Sequence, residues 1–417
     1  VSALRFEDVA PDAALFLALV RGREPMPATP SLAAAVAAAS ARDLPRETLT
    51  RALIARLEEL GAPSASLASA ERLRRPGVVA VVAGQQPVLF GGPHLVVSKA
   101  LAAVAVARRI EAGGTPAVPV FWVASEDHDH AEVDHVDVVR PAGGTERLSV
   151  TLPDDRRMLS RVPLDADAAL ARLAEILPPG PGRDEALAAV RPAPGDSVGS
   201  AFARTLLRLL GRFGIVVVEP ETLRPFARAV AAHDVAHPGD LARVVVAAED
   251  AFAAHGFAKP LGLRVREVFF VADRAGRRHR PQGLPEADDA AGIATWLRRI
   301  DEKPESVSWN VAGRVLAQDV ALPVAAQVCG PAEFGYCAAI APAHALLGVP
   351  APALVPRPGV TFVDRGFAPA GADGGLQERS LSILPFLAAH GSGILDGVLA
   401  AVSPEGAEHE VIPLGGA

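Results

Sequence analysis

Residues 78–83, Val-Val-Ala-Val-Val-Ala, form an unbroken apolar run between Pro76-Gly77 and Gly84, and this run restricts the fold more than any other feature. A strand wetted on one face alternates in polarity. One with no polar position must be covered on both faces, the condition of an inner strand of a parallel sheet. The same signature recurs at 117–124 and 215–218; 324–328, apolar except for Gln327, is a fourth buried-strand candidate, with a shorter strand expected near 353–355. Between the first two runs, Gly91-Gly92-Pro93 opens a helix to about residue 112 and Gly113-Gly114 closes it. The unit is therefore βαβ, with the right-handed crossover that such units adopt. The fold class is α/β.

The length of 417 residues allows two or three domains, or one large core with insertions. Residues 1–76 read as a helical segment, with Leu49, Leu53, Ile54, Leu57 and Leu60 along one face of a helix over 46–60. Residues 77–364 hold the core, with insertions at about 134–200 and 240–300. Two hairpins are expected there: 135–140 with 147–152, and 264–272 with 277–281 around Asp273-Arg-Ala-Gly. A helix is expected over 333–347. Residues 365–376 form a short loop and 377–417 a helical tail.

Acidic residues outnumber basic ones, 48 to 41, giving a net charge of -7 that argues against a nucleic-acid or anionic-membrane partner. The 334–356 stretch lacks formal charge but carries four prolines and His344, which does not suit a bilayer span. Arg5, Glu7 and Asp8 precede any long apolar stretch, so no signal peptide is expected, and two cysteines without a CxxC or zinc spacing fit a reducing cytoplasm. Cys329 and Cys337 read as small core residues.

Three constellations carry chemistry. Gly84-Gln85-Gln86-Pro87 stands at the carboxyl end of the first strand, where ligands of open α/β sheets bind, and Lys99 follows two turns into the next helix. Its amides suit an anion or merely satisfy a turn. Glu126-Asp127-His128-Asp129-His130, with Glu132 and His135, follows the second strand; such a density suits acid/base work, an amine or a metal, or is a solvated strand end. In extended chain Asp127 and Asp129 would point one way and the two histidines the other, which splits a metal set. No metal is therefore assigned. The third set spans Asn310, Arg314, Gln318, Asp319, Gly330, Pro331, Glu333 and Tyr336, where Gly330-Pro331 opens a helix after the fourth strand. Neither a GxGxxG nor a Walker loop occurs. Gly195-Asp196-Ser197-Val198-Gly199 matches the GxSxG of serine hydrolases but follows Arg191-Pro-Ala-Pro rather than a strand, so Asp196 or Ser197 is expected to cap a helix.

Five segments in series resemble the bacillithiol biosynthesis cysteine-adding enzymes, a family of cysteine ligases: VVAGQQPVLFGGPHLVVSKA, VPVFWVASEDHDHAEVDHV, AFARTLLRLLGRFGIVVVEP, SVSWNVAGRVLAQDVALPVAAQVCGPAEFGYCA and VPAPALVPRPGVTFVD. The resemblance implies a Rossmann-like core with connecting insertions, related to nucleotidylyl transferases and class I aminoacyl-tRNA synthetases. It implies joining cysteine to the amine of glucosaminyl-malate, and raises ATP as a cofactor, although no histidine signature stands at the first strand end and no lysine-rich KMSKS-like loop is present. On this reading Gly84, Gln85, Gln86, Pro87 and Lys99 hold an anionic cosubstrate or phosphate. Asp127 and His128, flanked by Glu126 and Asp129, orient and deprotonate the amine, His128 titrating near neutrality. Asn310, Arg314, Gln318, Asp319, Gly330, Pro331, Glu333 and Tyr336 bind substrate, with Arg314 and Arg357 on its carboxylates. A metal-dependent hydrolase built on 127–135 and a non-catalytic ligand-binding relative are the alternatives.

The family's Arg-Pro is Arg314-Val315 here, and only residues 365–375 stand where the family inserts a long coiled-coil arm. A dimer without that arm must use the core or the N-terminal helices. Sedimentation should accordingly show a monomer or a compact homodimer; an elongated dimer held by a helical pair would contradict this boundary.

Overall fold

The computed structural model describes residues 3–4, 13–22, 29–264, 266–364, 381–402 and 409–414. The five buried runs become one parallel sheet: β1 (Val79–Gln85), β2 (Ala117–Val123), β3 (Val216–Val218), β4 (Val324–Cys329) and β5 (Ala353–Pro356), in the order β5-β4-β1-β2-β3. Every residue of β2, β3 and β4 is buried; the one polar side chain among them, Gln327 of β4, has its Oε1 bonded by Gln318. The chain steps outward from β1 through β2 to β3, then returns to lay β4 against the other side of β1. The crevice between β1 and β4 is therefore the topological switch point, where consecutive connections leave in opposite directions and a ligand can enter.

Helix α1 (His94–Ala112) makes the β1-to-β2 crossover and is buried around most of its circumference, because alanines at 100, 102, 103, 105 and 107 allow close approach on several sides. Helix α2 (Val198–Leu210) starts at Ser197, whose Oγ accepts the Ser200 N–H at 3.1 Å. That is the capping role expected for the GxSxG look-alike. Asp196 supports it by accepting from the Ser200 hydroxyl at 2.9 Å. Helix α3 (Pro220–Ala236) follows β3, and α4 (Val311–Ala321) precedes β4. Helix α5 (Pro331–Ile340) follows β4 but stops short of residue 347: Pro342 lacks an amide, and a 3₁₀ segment, Ala341–Leu347, takes over.

The hairpins lie outside the sheet but differ in detail from expectation. The first pairs His135–Val139 with Thr145–Ser149. The second pairs Phe269–Ala272 with only Arg278–His279, and gains a third strand, Val307–Trp309, on its other side. The tail is not wholly helical: after Leu384–His390 and Ile394–Ala401, strand His409–Leu414 pairs with Gly359–Asp364 and with Ala3–Leu4. The loop 365–376 lies outside the described residues. Among those described, no helix is long and apolar enough to cross a membrane.

Two contacts fix α4, which carries site residues on its first turns. At its carboxyl end the Arg42 guanidinium, from the N-terminal segment, donates to the carbonyls of Asp319, Val320 (2.8 Å) and Leu322 (2.6 Å), groups a helix leaves unsatisfied. At its start Gly313 lies so close to the second hairpin that an added Cβ would stand 2.0 Å from the Val268 carbonyl oxygen. Gly313→Ala should therefore push helix and hairpin apart at a cost of about 1–3 kcal/mol or more. Denaturant unfolding would show it as a lower midpoint with unchanged m-value.

Candidate functional site

A cavity of about 550 Å³ opens at the carboxyl ends of β1, β2 and β4. On one side, Lys99 projects from α1 with its side chain only 3% exposed, and its Nζ donates to the Gly84 carbonyl (2.9 Å), Gln85 Oε1 (3.0 Å) and Glu333 Oε2 (2.5 Å). Glu333 occupies the first turn of α5, where its carboxylate also accepts the Gly330 N–H at 2.9 Å. Burial pushes this carboxyl up, but Lys99, the Gly330 N–H and Arg314 outweigh burial and hold it below the usual carboxylate range. The Tyr336 hydroxyl donates to Glu333 Oε1 (3.4 Å) and accepts from Arg314 Nη2 (3.1 Å). Burial and Glu333 push the Tyr336 phenol up, so it remains protonated.

On the other side β2 ends at Val123 and the chain turns rather than extending. The alternating geometry expected of residues 127–130 is therefore absent. Asp127 Oδ1 accepts the N–H of His128 (2.7 Å) and of Asp129 (3.2 Å), while Oδ2 accepts from Gln86 Nε2 (2.8 Å), which also donates to Glu132 (2.9 Å). Burial would raise the Asp127 carboxyl; Gln86, Arg278 and the two backbone donors overcome it and hold it below its ordinary value. His128 Nδ1 faces Arg278 Nη1 at 3.0 Å. A guanidinium can only donate, so Nδ1 accepts and the imidazole proton is assigned to Nε2. Burial, then Arg278 and Arg156, push His128 down to about 4. It is thus a neutral donor at pH 7 rather than a group titrating near neutrality.

Gln85, Gln86, Lys99, Glu126, Asp127, His128, Asn310, Arg314, Gly330, Pro331, Glu333 and Tyr336 all line the cavity. Two of these are anchors: Glu126 is buried, accepting from Arg224 Nε (2.6 Å) and the Trp309 N–H (3.0 Å), and Asn310 caps α4 at Gly313 (2.9 Å) while donating to the Glu267 carbonyl (2.9 Å). The remaining expected residues stand elsewhere. Pro87 is buried outside the wall, Gly84 contributes only its carbonyl, and Asp129 is exposed. Gln318 and Asp319 are about 12 Å further along α4 than Asn310 at 1.5 Å per residue. There they form a core network in which Gln318 Nε2 donates to Gln327 Oε1 (2.7 Å) and Asp319 Oδ2 meets His344 Nε2 (2.8 Å). Arg357 is buried behind Gly330, its backbone N–H on the Cys329 carbonyl.

Arg278, Phe270, Trp309 and Pro220 line the cavity unforeseen. Three of them belong to the second hairpin sheet, whose sequence carries no motif; only the basic run Arg277-Arg278-His279-Arg280 hinted at a role. The metal alternative loses its geometry, because the cluster's side chains diverge. His130 contacts the Pro153 and Arg157 carbonyls, His135 contacts Asp134, and Asp127 and His128 have the partners above. Among the described residues no three such ligands converge. The fit to ATP is also poor at the start of α5, where a phosphate would look for backbone donors. The Gly330 N–H is spent on Glu333, and Pro331 has none. A wall carrying Lys99, Arg278 and Arg314 as well as Glu126, Asp127 and Glu333 suits a zwitterion or an amine with carboxylates.

A family model described as the N-terminal Rossmann-like domain of bacillithiol biosynthesis BshC matches residues 27–358. Relatives carrying the name "Putative cysteine ligase BshC" occur in Koribacter versatilis (32% identical, covering 76% of this chain and 61% of the relative), Salinibacter ruber (31%, 80% and 64%) and Geobacillus thermodenitrificans (30%, 81% and 65%). The chain thus spans less than two thirds of the length of these relatives.

The Lys99–Glu333 pair changes what a substitution at Lys99 should do. A freely reaching lysine could be lost without harm to the fold, but removing this buried one leaves the Glu333 carboxylate unpaired on the cavity wall, at about 1–3 kcal/mol. Lys99→Met should unfold at clearly lower temperature, and adding Glu333→Leu should recover much of the loss. Calorimetry on the two single variants and the double variant measures the coupling.

Proposed function

The chain belongs to the BshC family of bacillithiol biosynthesis, and from that premise we propose that its cleft joins the carboxyl group of cysteine to the amine of glucosaminyl-malate, forming an amide. The relatives' name supports the ligase class. The observation that carries the reading is an ionised Asp127 beside a neutral His128 in one cavity, an acceptor next to a donor. The new bond is C–N and the bond broken is a carboxyl C–O; the departing oxygen takes up the two protons that the ammonium nitrogen loses and leaves as water, or it leaves on a phosphoryl group where a nucleotide has activated the carboxyl. Asp127 accepts the amine's N–H and fixes its position, worth most when the reacting atoms are held close. His128, with its proton on Nε2, donates to the carboxyl oxygen that gains charge as the nitrogen attacks. Since Arg278 occupies Nδ1, the imidazole cannot relay a proton between its two nitrogens. Deprotonation by His128 is thereby replaced with hydrogen-bond donation.

The test is mass spectrometry of cysteine and glucosaminyl-malate incubated with the protein, with and without ATP. A cysteinyl amide is the expected product, and the two arms decide whether a nucleotide activates the carboxyl; no amide in either arm overturns the reading. Asp127→Asn should lower turnover by about 10²- to 10⁴-fold. His128→Phe should cost about 10²- to 10³-fold as a lost donor, and His128→Gln, which keeps an N–H, should cost less. Turnover against pH should show no inflection at the ordinary histidine value. Native His128 is pushed down to about 4, against an ordinary value of 6.5, so folding stability from this residue is complete above 6.5 and is lost as pH falls from there toward 4. Melting temperature should therefore fall less steeply across that window in His128→Gln than in the parent.

A further inference from the structure

We propose that Arg278, with Arg156 beside it, forms an anion subsite that receives a carboxylate of the amine substrate; only the identity of the molecule bearing the carboxylate rests on the ligase reading. Arg278 is 4% exposed, yet its partners are all neutral: Ser308 Oγ on Nε (2.9 Å), His128 Nδ1 on Nη1 (3.0 Å), the Trp309 carbonyl on Nη2, and the Phe270 ring 4.3 Å from Cζ. Among the described residues no carboxylate lies within the 4.0 Å of an ion pair. Glu126 and Asp127 act on it from further away, and Glu126 is already matched by Arg224 at 2.6 Å. A cation removed from water without a counter-charge is unfavourable, and a guanidinium has five donors, of which three are used here. An entering carboxylate supplies the charge and takes the remaining donors.

Arg156 strengthens the assignment through its backbone. It has φ +60°, one of two non-glycine residues in the left-handed region among those described. The conformation is held by the hairpin: Arg278 N–H donates to the Arg156 carbonyl (3.1 Å) and Arg156 Nε to the Arg278 carbonyl (3.3 Å). Strain kept next to a cleft residue points to use. Here it sets a second guanidinium, exposed and without an ion pair among the described residues, on the Arg278 backbone just outside the cavity lining, where its charge acts on both His128 and Arg278. Two unmatched guanidinium groups suit a dicarboxylate. Of the arginines expected for this role from sequence, Arg314 stands with Tyr336 on the opposite wall, where the Glu333 charge acts on it, and Arg357 lies behind Gly330 outside the cavity lining.

Calorimetric titration of the full chain with L-malate, and with its dimethyl ester as the uncharged counterpart, tests the subsite. Malate should bind and the ester should not, with affinity falling as salt rises. Arg278→Gln should weaken malate by about 10- to 100-fold, the range for hydrogen bonds to charged groups. Arg278 is buried, so that variant can fail to fold; Arg156→Gly removes charge and strain together, and should weaken malate several-fold while the melting temperature holds or rises. Unchanged malate affinity in Arg156→Gly, or equal binding of acid and ester, overturns the proposal. Arginine-dependent malate binding without any cysteinyl amide would retain the subsite and sink the ligase reading; amide formation with arginine-independent malate binding would do the reverse.

Discussion

The buried ammonium of Lys99 is the contact on which the site's geometry depends, because it joins three elements that the chain brings together from far apart. Its Nζ holds the end of β1 through the Gly84 carbonyl and Gln85, and the start of α5 through Glu333. Those are the two lips of the crevice at the switch point. Without a cation between them, the Glu333 carboxylate and the outward-facing carbonyl of Gly84 would face each other across a space with little water. Glu333 in turn holds Tyr336, and Tyr336 holds Arg314. One desolvated charge thus organises a chain of polar contacts from α1 to α4.

The opposite wall works by a different balance. Glu126 anchors Arg224 of α3 and the Trp309 amide, tying the end of β2 to the second hairpin sheet. That sheet then delivers Arg278 to His128 and determines which imidazole nitrogen carries the proton. The electrostatics of the cleft are therefore partitioned: a matched lysine–glutamate pair on one side, an unmatched arginine on the other. Such partition is what distinguishes the two ends of an unsymmetrical substrate.

Much of the fold was legible in the sequence. The five mostly apolar runs became the five parallel strands because a strand with so little polar surface has few other places to go. The Gln-Gln, Asp-His and Gly-Pro-Ala-Glu blocks were legible as site residues because each immediately follows such a strand. Gln318 and Asp319 were misplaced for a reason that spacing cannot reveal. They share a helix with Asn310 and Arg314 but lie two turns further from its mouth, where they pair with Gln327 and His344 instead of facing the cleft. The neighbours 127–130 read as an alternating strand, whereas the backbone turned and the Asp127 carboxylate capped that turn.

By itself, the sequence determined the parallel α/β core, the strand ends whose residues line the cleft, and membership of a family, since these depend on local polarity and on motifs read in order. Tertiary structure alone decided the order β5-β4-β1-β2-β3, the match of Lys99 to Glu333 across 234 positions, and the approach of Arg278 to His128 across 150. The reason is physical. Which charge a buried group meets, and hence whether an imidazole is a base or a donor, is set by desolvation and by neighbours in space, and neither is a property of the residues adjacent in the chain.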